Sequence, residues 1–350
     1  MPAEQMPTTQ MPSTTADLAP RRIGGTTFNF ARRAAVMAVV NRTPDSFYDA
    51  GQTYALDAAV ARAGEAADLG ADWVDIGGVP FSPDTPVVST AEEKDRVLPV
   101  VQALAGAGAG GAGGVVISVD TYNPDVARAC LDAGAGVIND VMGLRAPGMA
   151  EVVADSEATV VIAHSIAAPH RHHYRPRYDD VVSDVRDYLV QRVDHAVSKG
   201  IPPERIVIDP GHDLNKNTLH SLEITRRLHE ITSLGLPVLV ALSNKDFIGE
   251  TLDRPRDQRL SGSLAAAALC VAAGARILRV HNVAETVDAV RMTEAVLGLR
   301  DPAYLRHNYE PGPARDVAGN EQPAGRHTDG QDDLTGSHVR APGADHRSHP

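Results

Sequence analysis

The feature that most constrains this chain is a repeat of short apolar runs, each followed by a polar turn and an Ala-rich amphipathic stretch. The runs are Ala35–Val40, Trp73–Ile76, Val115–Val119, Val137–Ile138, Thr159–Ala163, Ile206–Ile208, Val238–Ala241 and Ile277–Val280. Runs this short, bounded by turn residues, suit strands buried on both faces of a parallel sheet. Helical patterns fall between them, near Leu56–Leu69, Ala91–Leu104, Pro124–Ala133, Gly148–Asp155, Val181–Ser198, Leu219–Leu234, Gly262–Ala273 and Ala284–Leu297. Eight such units in roughly 270 residues predict an α/β fold, a single (β/α)8 barrel. A doubly wound sheet has the same local pattern and is the alternative.

Helix boundaries are marked. Thr90-Ala91-Glu92-Glu93 reads as a capping box, and Asn123-Pro124 as an N-cap followed by Pro in the first turn. Gly134, Gly200, Gly235, Gly274 and Gly298 read as helix C-caps. The glycine run from Gly106 to Gly114 lacks the Lys-Ser or Lys-Thr of a phosphate loop and precedes a strand, so it reads as a surface loop. Residues 1–25 and 308–350 lack periodicity and read as disordered tails, leaving 26–307 for the barrel.

Composition excludes several classes of function. The formal net charge of −12 disfavours nucleic acid and anionic membrane surfaces as partners. No apolar stretch approaches the roughly 20 residues of a spanning helix, and the start of the chain lacks the basic and apolar regions of a secretory signal. Cys130 and Cys270 lie in separate helical patterns and read as buried thiols of a cytoplasmic protein. Trp73 reads as barrel core. His164 reads equally as a satisfied strand-end side chain or a ligand contact. The His170, His172 and His173 run and the C-terminal histidines read as solvated.

In a barrel, chemistry gathers at the C-terminal ends of the strands. Those ends carry Asn41, Asp75, Ser118 with Asp120, Asn139 with Asp140, His164 with Ser165, Asp209, Ser243-Asn244-Lys245, and Arg279 with His281. One polar strand end is an ordinary turn. Eight in a row, including Lys245, Arg279 and His281, ring one mouth with carboxylates, amides and cations. Asp120, Asn139 and Asp209 suit a flat heterocycle bearing amino, ring N–H and oxo groups, with Lys245 toward a ring acceptor. Arg279, His281 and Asn41 suit an anion, and Arg279 matches the fork of phosphate oxygens. A leaving diphosphate attracts Mg²⁺, for which the Asn41 amide oxygen is a hard ligand. The implied chemistry is displacement of diphosphate from a carbon on the heterocycle, driven by anion stabilisation.

These segments resemble the signatures of dihydropteroate synthases from about Ala34 to Leu299. The matching motifs are Asn41-x-Thr43-Pro44-Asp45-Ser46-Phe47, Asp75-Ile76-Gly77-Gly78, Ser118-Val119-Asp120-Thr121, Gly134-Ala135 leading to Ile138-Asn139-Asp140, Asp209-Pro210-Gly211 with Lys216, and Arg279-Val280-His281. The resemblance implies a homodimeric TIM barrel that joins 6-hydroxymethyl-7,8-dihydropterin diphosphate to p-aminobenzoate, with Mg²⁺, in folate synthesis. By the same resemblance Asp120, Asn139, Asp209, Lys245 and Arg279 bind the pterin. Asp120, Asp209, Lys245 and Arg279 carry the chemistry, while Asn41, Arg279 and His281 serve diphosphate and metal.

Departures from the family cluster on the acceptor side. The usual Gly-Gly-Glu-Ser-Thr-Arg-Pro here has Val79, Phe81 and Ser82. The usual Asp-Pro-Gly-x-Gly-Phe-Gly-Lys here has Asp213, Leu214 and Asn215. The usual Ser-Arg-Lys-Ser here has Asn244 and Asp246. Counted as formal charges, these changes make the acceptor side more negative by about three, and one nearby like charge costs a few kcal/mol at an effective dielectric near 20. An anionic aminobenzoate is therefore expected to bind poorly. The chain resembles the divergent second copy of this enzyme, so two readings stand: a transferase using p-aminobenzoate or another amine, and a catalytically silent pterin-binding paralogue or partner subunit. A corrinoid methyltransferase barrel is disfavoured, because it has no diphosphate for Arg279 and His281 to hold.

Overall fold

The computed structural model describes residues 18–42, 55–80, 85–106, 114–167 and 175–308. The loop residues Thr43 to Asp49, the acceptor-side residues Phe81 and Ser82, and His170 to His173 lie outside them. Strands β3 (Ala35–Asn41), β4 (Trp73–Gly77), β5 (Val116–Asp120), β6 (Val137–Asp140), β7 (Thr159–Ala163), β8 (Ile206–Asp209), β9 (Leu239–Val240) and β10 (Ile277–Val280) form one parallel sheet, with helices between them. The sheet runs β8-β7-β6-β5-β4-β3-β10-β9, and a parallel bridge between Ile208 and Val238 joins its two ends. The architecture is the (β/α)8 barrel. The doubly wound alternative fails because a doubly wound sheet stays open.

Side-chain alternation divides each strand between two cores. Val36, Val74, Ile76, Ile138, Ile162 and Ile208 face outward and pack with helical residues such as Ala63, Val97, Val101 and Leu189. Met37, Trp73, Val116, Val137, Val161, Val207, Leu239 and Ile277 form the second cluster, a floor inside the barrel. Trp73 is fully buried there, as its sequence position predicts. Truncating such a residue to Ala costs about 3–5 kcal/mol.

The N-terminal boundary needs correction. A hairpin of β1 (Arg21–Ile23) and β2 (Thr26–Phe28) precedes the barrel, so the tail ends before residue 25. Three-residue strands carry too little alternation to stand out in sequence. Leu18, Ile23, Phe28 and Phe30 from this segment join the barrel floor. Phe28 meets Trp73 edge-on at 5.8 Å. The hairpin turn comes so close that a Cβ on Gly136 would lie 2.5 Å from Gly24 Cα, so only glycine fits there. By contacts the barrel unit extends to Asp301, and a second unit begins at Pro302, of which 302–308 are described.

Three helical expectations also change. The Thr90–Gly106 helix is capped by Ser89, whose Oγ accepts from the Glu92 amide, while Glu93 turns inward and accepts from the Thr121 hydroxyl at 2.5 Å. The capping-box motif is thus occupied by a buried tie between helix and strand end. The Leu219–Leu234 segment breaks at Arg227 into Thr218–Arg226 and Leu228–Thr232; Arg227 pairs there with Asp180 and Glu230. A short helix, Asp246–Leu252, follows β9 where none was expected. The Asn123 cap holds as read, its side chain accepting from the Asp125 amide. Among the described residues no helix is long and apolar enough to cross a membrane. Cys130 and Cys270 are free and buried.

Candidate active site

Alternation that puts Trp73, Val116, Val137, Val207 and Ile277 on the barrel floor puts Asp75, Ser118 with Asp120, Asn139, Asp209 and Arg279 above it. Register levels them: Asp75 pairs with Ser118, Gly77 with Asp120, and Asp120 with Asn139. The barrel interior is therefore apolar below and densely charged above.

Asp75 is the hub of the charged layer. Its carboxylate, fully buried, accepts from Arg279 Nε at 2.6 Å, Ser118 Oγ at 2.6 Å and Asn139 Nδ2 at 3.0 Å. The Arg279 Nη2 donates to Asp120 at 2.9 Å, so two carboxylates grip one guanidinium. They raise Arg279 above its ordinary value against the cost of burial. Because a carboxylate only accepts, the Asn139 atom facing Asp75 must be the amide nitrogen, which leaves its oxygen for an incoming donor. Sequence reasoning placed Asp75 in a motif but gave it no site role. Its spacing two residues from the core Trp73 was the available signal.

Asp120 keeps 32% side-chain exposure. Its carboxyl is pushed up to about 7, by desolvation first and by the nearby Asp75, Glu93 and Asp140 carboxylates, with Arg279 opposing. Asp209 is nearly fully buried, and its Oδ1 accepts from the Gly211 amide at 2.7 Å. Burial raises it as well, opposed by Lys245 and Lys216. Lys245 donates to the His212 carbonyl, and burial lowers it, with Asp213 and Asp209 opposing.

The loop after β8 is held from within. Lys216 Nζ contacts His164 Nδ1 at 2.8 Å and the carbonyls of Gly211 at 2.9 Å and Leu214 at 3.0 Å. Burial lowers Lys216 to about 7 and His164 to about 2, so a neutral imidazole accepts from the lysine. His164 is thus a satisfied buried side chain that clamps this loop. Asp213 and Asn215, which replace two glycines of the family pattern, both adopt positive φ, at 62° and 52°. Asp and Asn are the residues that tolerate this region best after Gly. Asp213 accepts from the Ser221 hydroxyl at 2.8 Å and the Phe247 amide at 3.3 Å; Asn215 accepts from Ser165 and the Ala167 amide. Leu214 between them is half-buried.

Two of the acceptor-side carboxylates have local partners. Asp213 is spent on the loop and the start of the Asp246–Leu252 helix. Asp246 is exposed and pairs with Arg259 at 2.8 Å, and the same Arg259 nitrogen donates to the Asn244 carbonyl at 2.9 Å. Asn244 is buried at positive φ, its amide nitrogen bonded to Asn282 at 3.2 Å. Formal charge counted from sequence missed these local partners, and the two new carboxylates do not stand free at the mouth.

Asn41 ends β3 opposite Gly77, and its Oδ1 lies 3.6 Å from where a Gly77 Cβ would sit, with the Asp120 carboxylate close by. The His281 amide and Nδ1 both lie against Ser243 Oγ, at 3.3 and 3.2 Å. Burial and then Arg279 lower this imidazole to about 3, so it is neutral. Among the described residues no three His, Cys, Asp or Glu side chains converge as a metal cage.

Residues 37–281 match the model of a family described as pterin binding enzymes. The chain is 42% identical over 275 residues to the inactive dihydropteroate synthase 2 of Mycobacterium tuberculosis, covering 77% of this chain and 85% of that protein. It is 39% identical to the dihydropteroate synthase of Escherichia coli K12, covering 76% and 93%. The solved Xanthomonas albilineans dihydropteroate synthase with 4-aminobenzoic acid superposes with a TM-score of 0.72 at 41% identity, covering 79% and 98%. The same enzyme in complex with 7,8-dihydropteroate gives 0.70 at 41%, covering 80% and 99%. A polar barrel mouth with this residue order, matched across most of both chains, places this chain in the pterin-binding enzyme family, among the dihydropteroate synthases and their inactive paralogues.

Proposed function

We propose that the barrel mouth binds a dihydropterin diphosphate and that the chain is a transferase of the dihydropteroate synthase type. The observation that carries this reading is the buried Asp75–Arg279–Asp120 grip beside Asn139. It presents an acceptor carboxylate and an amide oxygen at one level, with Asp209 at the end of β8 and Lys245 just before the Asp246–Leu252 helix. Asp120, Asn139 and Asp209 take the donors of the pterin, and Lys245 takes a ring acceptor. Arg279, His281 and Asn41 take the diphosphate. The amine nitrogen attacks the exocyclic carbon, the C–O bond breaks, the diphosphate keeps the electron pair, and the amine proton passes to water.

Mg²⁺ fits here only with its substrate. The Asn41 amide oxygen is one hard ligand at the mouth, and Mg²⁺ otherwise keeps waters and phosphate oxygens. Held by Asn41 and the diphosphate, such an ion would supply charge neutralisation on the leaving group. A homodimer is supported by Leu269, Met292 and Val296, large apolar residues exposed on the adjoining helices Leu260–Ala272 and Val283–Val296. Two free buried cysteines suit the reducing cytoplasm.

The second reading, a silent pterin-binding paralogue, is favoured by Leu214 and Asn244, which lack the aromatic face and guanidinium of the family pattern, and by the inactive relative. Calorimetry with the pterin diphosphate and Mg²⁺, followed by turnover with p-aminobenzoate, separates the two. Binding with turnover supports the transferase. Binding without turnover on p-aminobenzoate or a panel of other aryl amines supports the silent paralogue. Absence of binding removes both.

A further inference from the structure

On the outer wall, a cleft of about 360 Å³ lies between the loop after β6 and the Val181–Ser198 helix. Its walls carry Arg145, Arg192, His195 and Lys199, with Glu151 the single carboxylate among its lining residues. It shares no lining residue with the barrel mouth.

The two guanidiniums are bonded mainly to neutral oxygens. Arg145 donates to the carbonyls of Met142 at 2.9 Å and Ile166 at 3.3 Å. Arg192 donates to the carbonyls of Gly143 at 2.6 Å and Leu144 at 2.7 Å. Asp140 behind the loop is fully buried and spends its oxygens on the Met142 and Leu144 amides, at 2.8 and 2.7 Å. The Arg145 Nη2 is buried and has no hydrogen-bond partner among the described residues. Burial and then, more weakly, Arg145 lower the Arg192 guanidinium from its ordinary value. Lys199 pairs with Glu151 at 2.8 Å, but both side chains are substantially exposed, at 40% and 52%. A pair so open contributes little and reopens readily.

We propose that this cleft binds a small phosphate-bearing molecule. Guanidinium forks match phosphate oxygens, Arg145, Arg192 and His195 line the same cleft, and Lys199 can turn from Glu151 to the ligand. The space exceeds that of a bare phosphate and suits a small phosphomonoester. Stapling the Met142–Leu144 loop accounts for three of the four arginine bonds. It does not account for the gathering of two further basic side chains, His195 and Lys199, on the same cleft.

The test is calorimetric titration of inorganic phosphate into the full chain at constant ionic strength, with chloride as the control anion. Arg145→Gln and Lys199→Gln are each expected to weaken phosphate binding, Arg145→Gln by about tenfold, with Arg145→Lys recovering part of the loss. His281→Ala, at the mouth, is expected to leave this binding unchanged. Three results overturn the proposal: no phosphate binding up to about 10 mM, equal competition by chloride, or binding lost with His281→Ala but kept in both cleft variants. The last would assign the anion to the mouth alone. Unchanged melting temperatures in the glutamine variants exclude loss of the fold as the cause.

Discussion

Replacing Asp75 with Asn tests whether one buried carboxylate organises the mouth. Asp75 accepts three hydrogen bonds, from Arg279, Ser118 and Asn139. Removing one partner of a buried ion pair costs about 3–5 kcal/mol. Arg279 retains its bond to Asp120 and 20% side-chain exposure, which moves the expectation to the lower end. The new amide also brings a donor against the Ser118 and Asn139 donors. A loss of about 3 kcal/mol lowers the melting temperature of a domain this size by roughly 6–10 °C. Ser118→Ala, which removes one neutral donor, is expected to cost about 1 kcal/mol. Scanning calorimetry of both variants reads the difference. A fall of less than about 1 °C in Asp75→Asn would mean the network contributes nothing, and the hub reading would be wrong.

Further outcomes follow from the same geometry. Asp120 titrates near 7, and a ligand that donates to it needs the carboxylate, so pterin affinity should weaken about tenfold per pH unit below that value; calorimetry at several pH values should show proton release on binding. In the unliganded protein the same raised value means the folded state holds a proton the unfolded state has lost. The stability contributed by Asp120 therefore falls as pH rises between about 4 and 7. Asp246→Ser removes an exposed ion pair with Arg259 and should change stability by no more than about 0.5 kcal/mol, with no gain in p-aminobenzoate turnover. A large gain would restore the charge-count argument. Gly249→Ala places a Cβ 2.3 Å from the Arg259 guanidinium and must expel it from Asp246 and the Asn244 carbonyl. Lost bonds of about 2–3 kcal/mol outweigh about 1 kcal/mol of helix propensity, so urea unfolding should show a net loss of about 1–2 kcal/mol.

The barrel was legible because parallel strands buried on both faces read as apolar runs with turns at a regular spacing. The Thr159–Ala163 and Ile277–Val280 strands and the Val181–Ser198 helix fall where the pattern places them. The hairpin beneath the barrel was not legible. Its strands are three residues long, and its value lies in long-range contact with Trp73 and Gly136. At the site, strand ends identified Asp120, Asn139, Asp209, Lys245 and Arg279 as neighbours, and the barrel brings them to one mouth. Sequence could not show which partner each charge would take. Asp213 and Asp246 looked like an electrostatic rewriting of the acceptor side. One is a left-handed loop residue that caps its neighbours, and the other is answered by Arg259, thirteen residues away. Asp75 was overlooked because its partners come from three other strands.

The most direct test of the central claim is calorimetry of the dihydropterin diphosphate, with Mg²⁺, on the unaltered chain and on Asp209→Ala. If the barrel mouth is the pterin site, the unaltered chain binds with one site per chain and Asp209→Ala, still folded, loses that binding. Equal affinity in the two proteins would contradict the assignment of the pterin to this mouth.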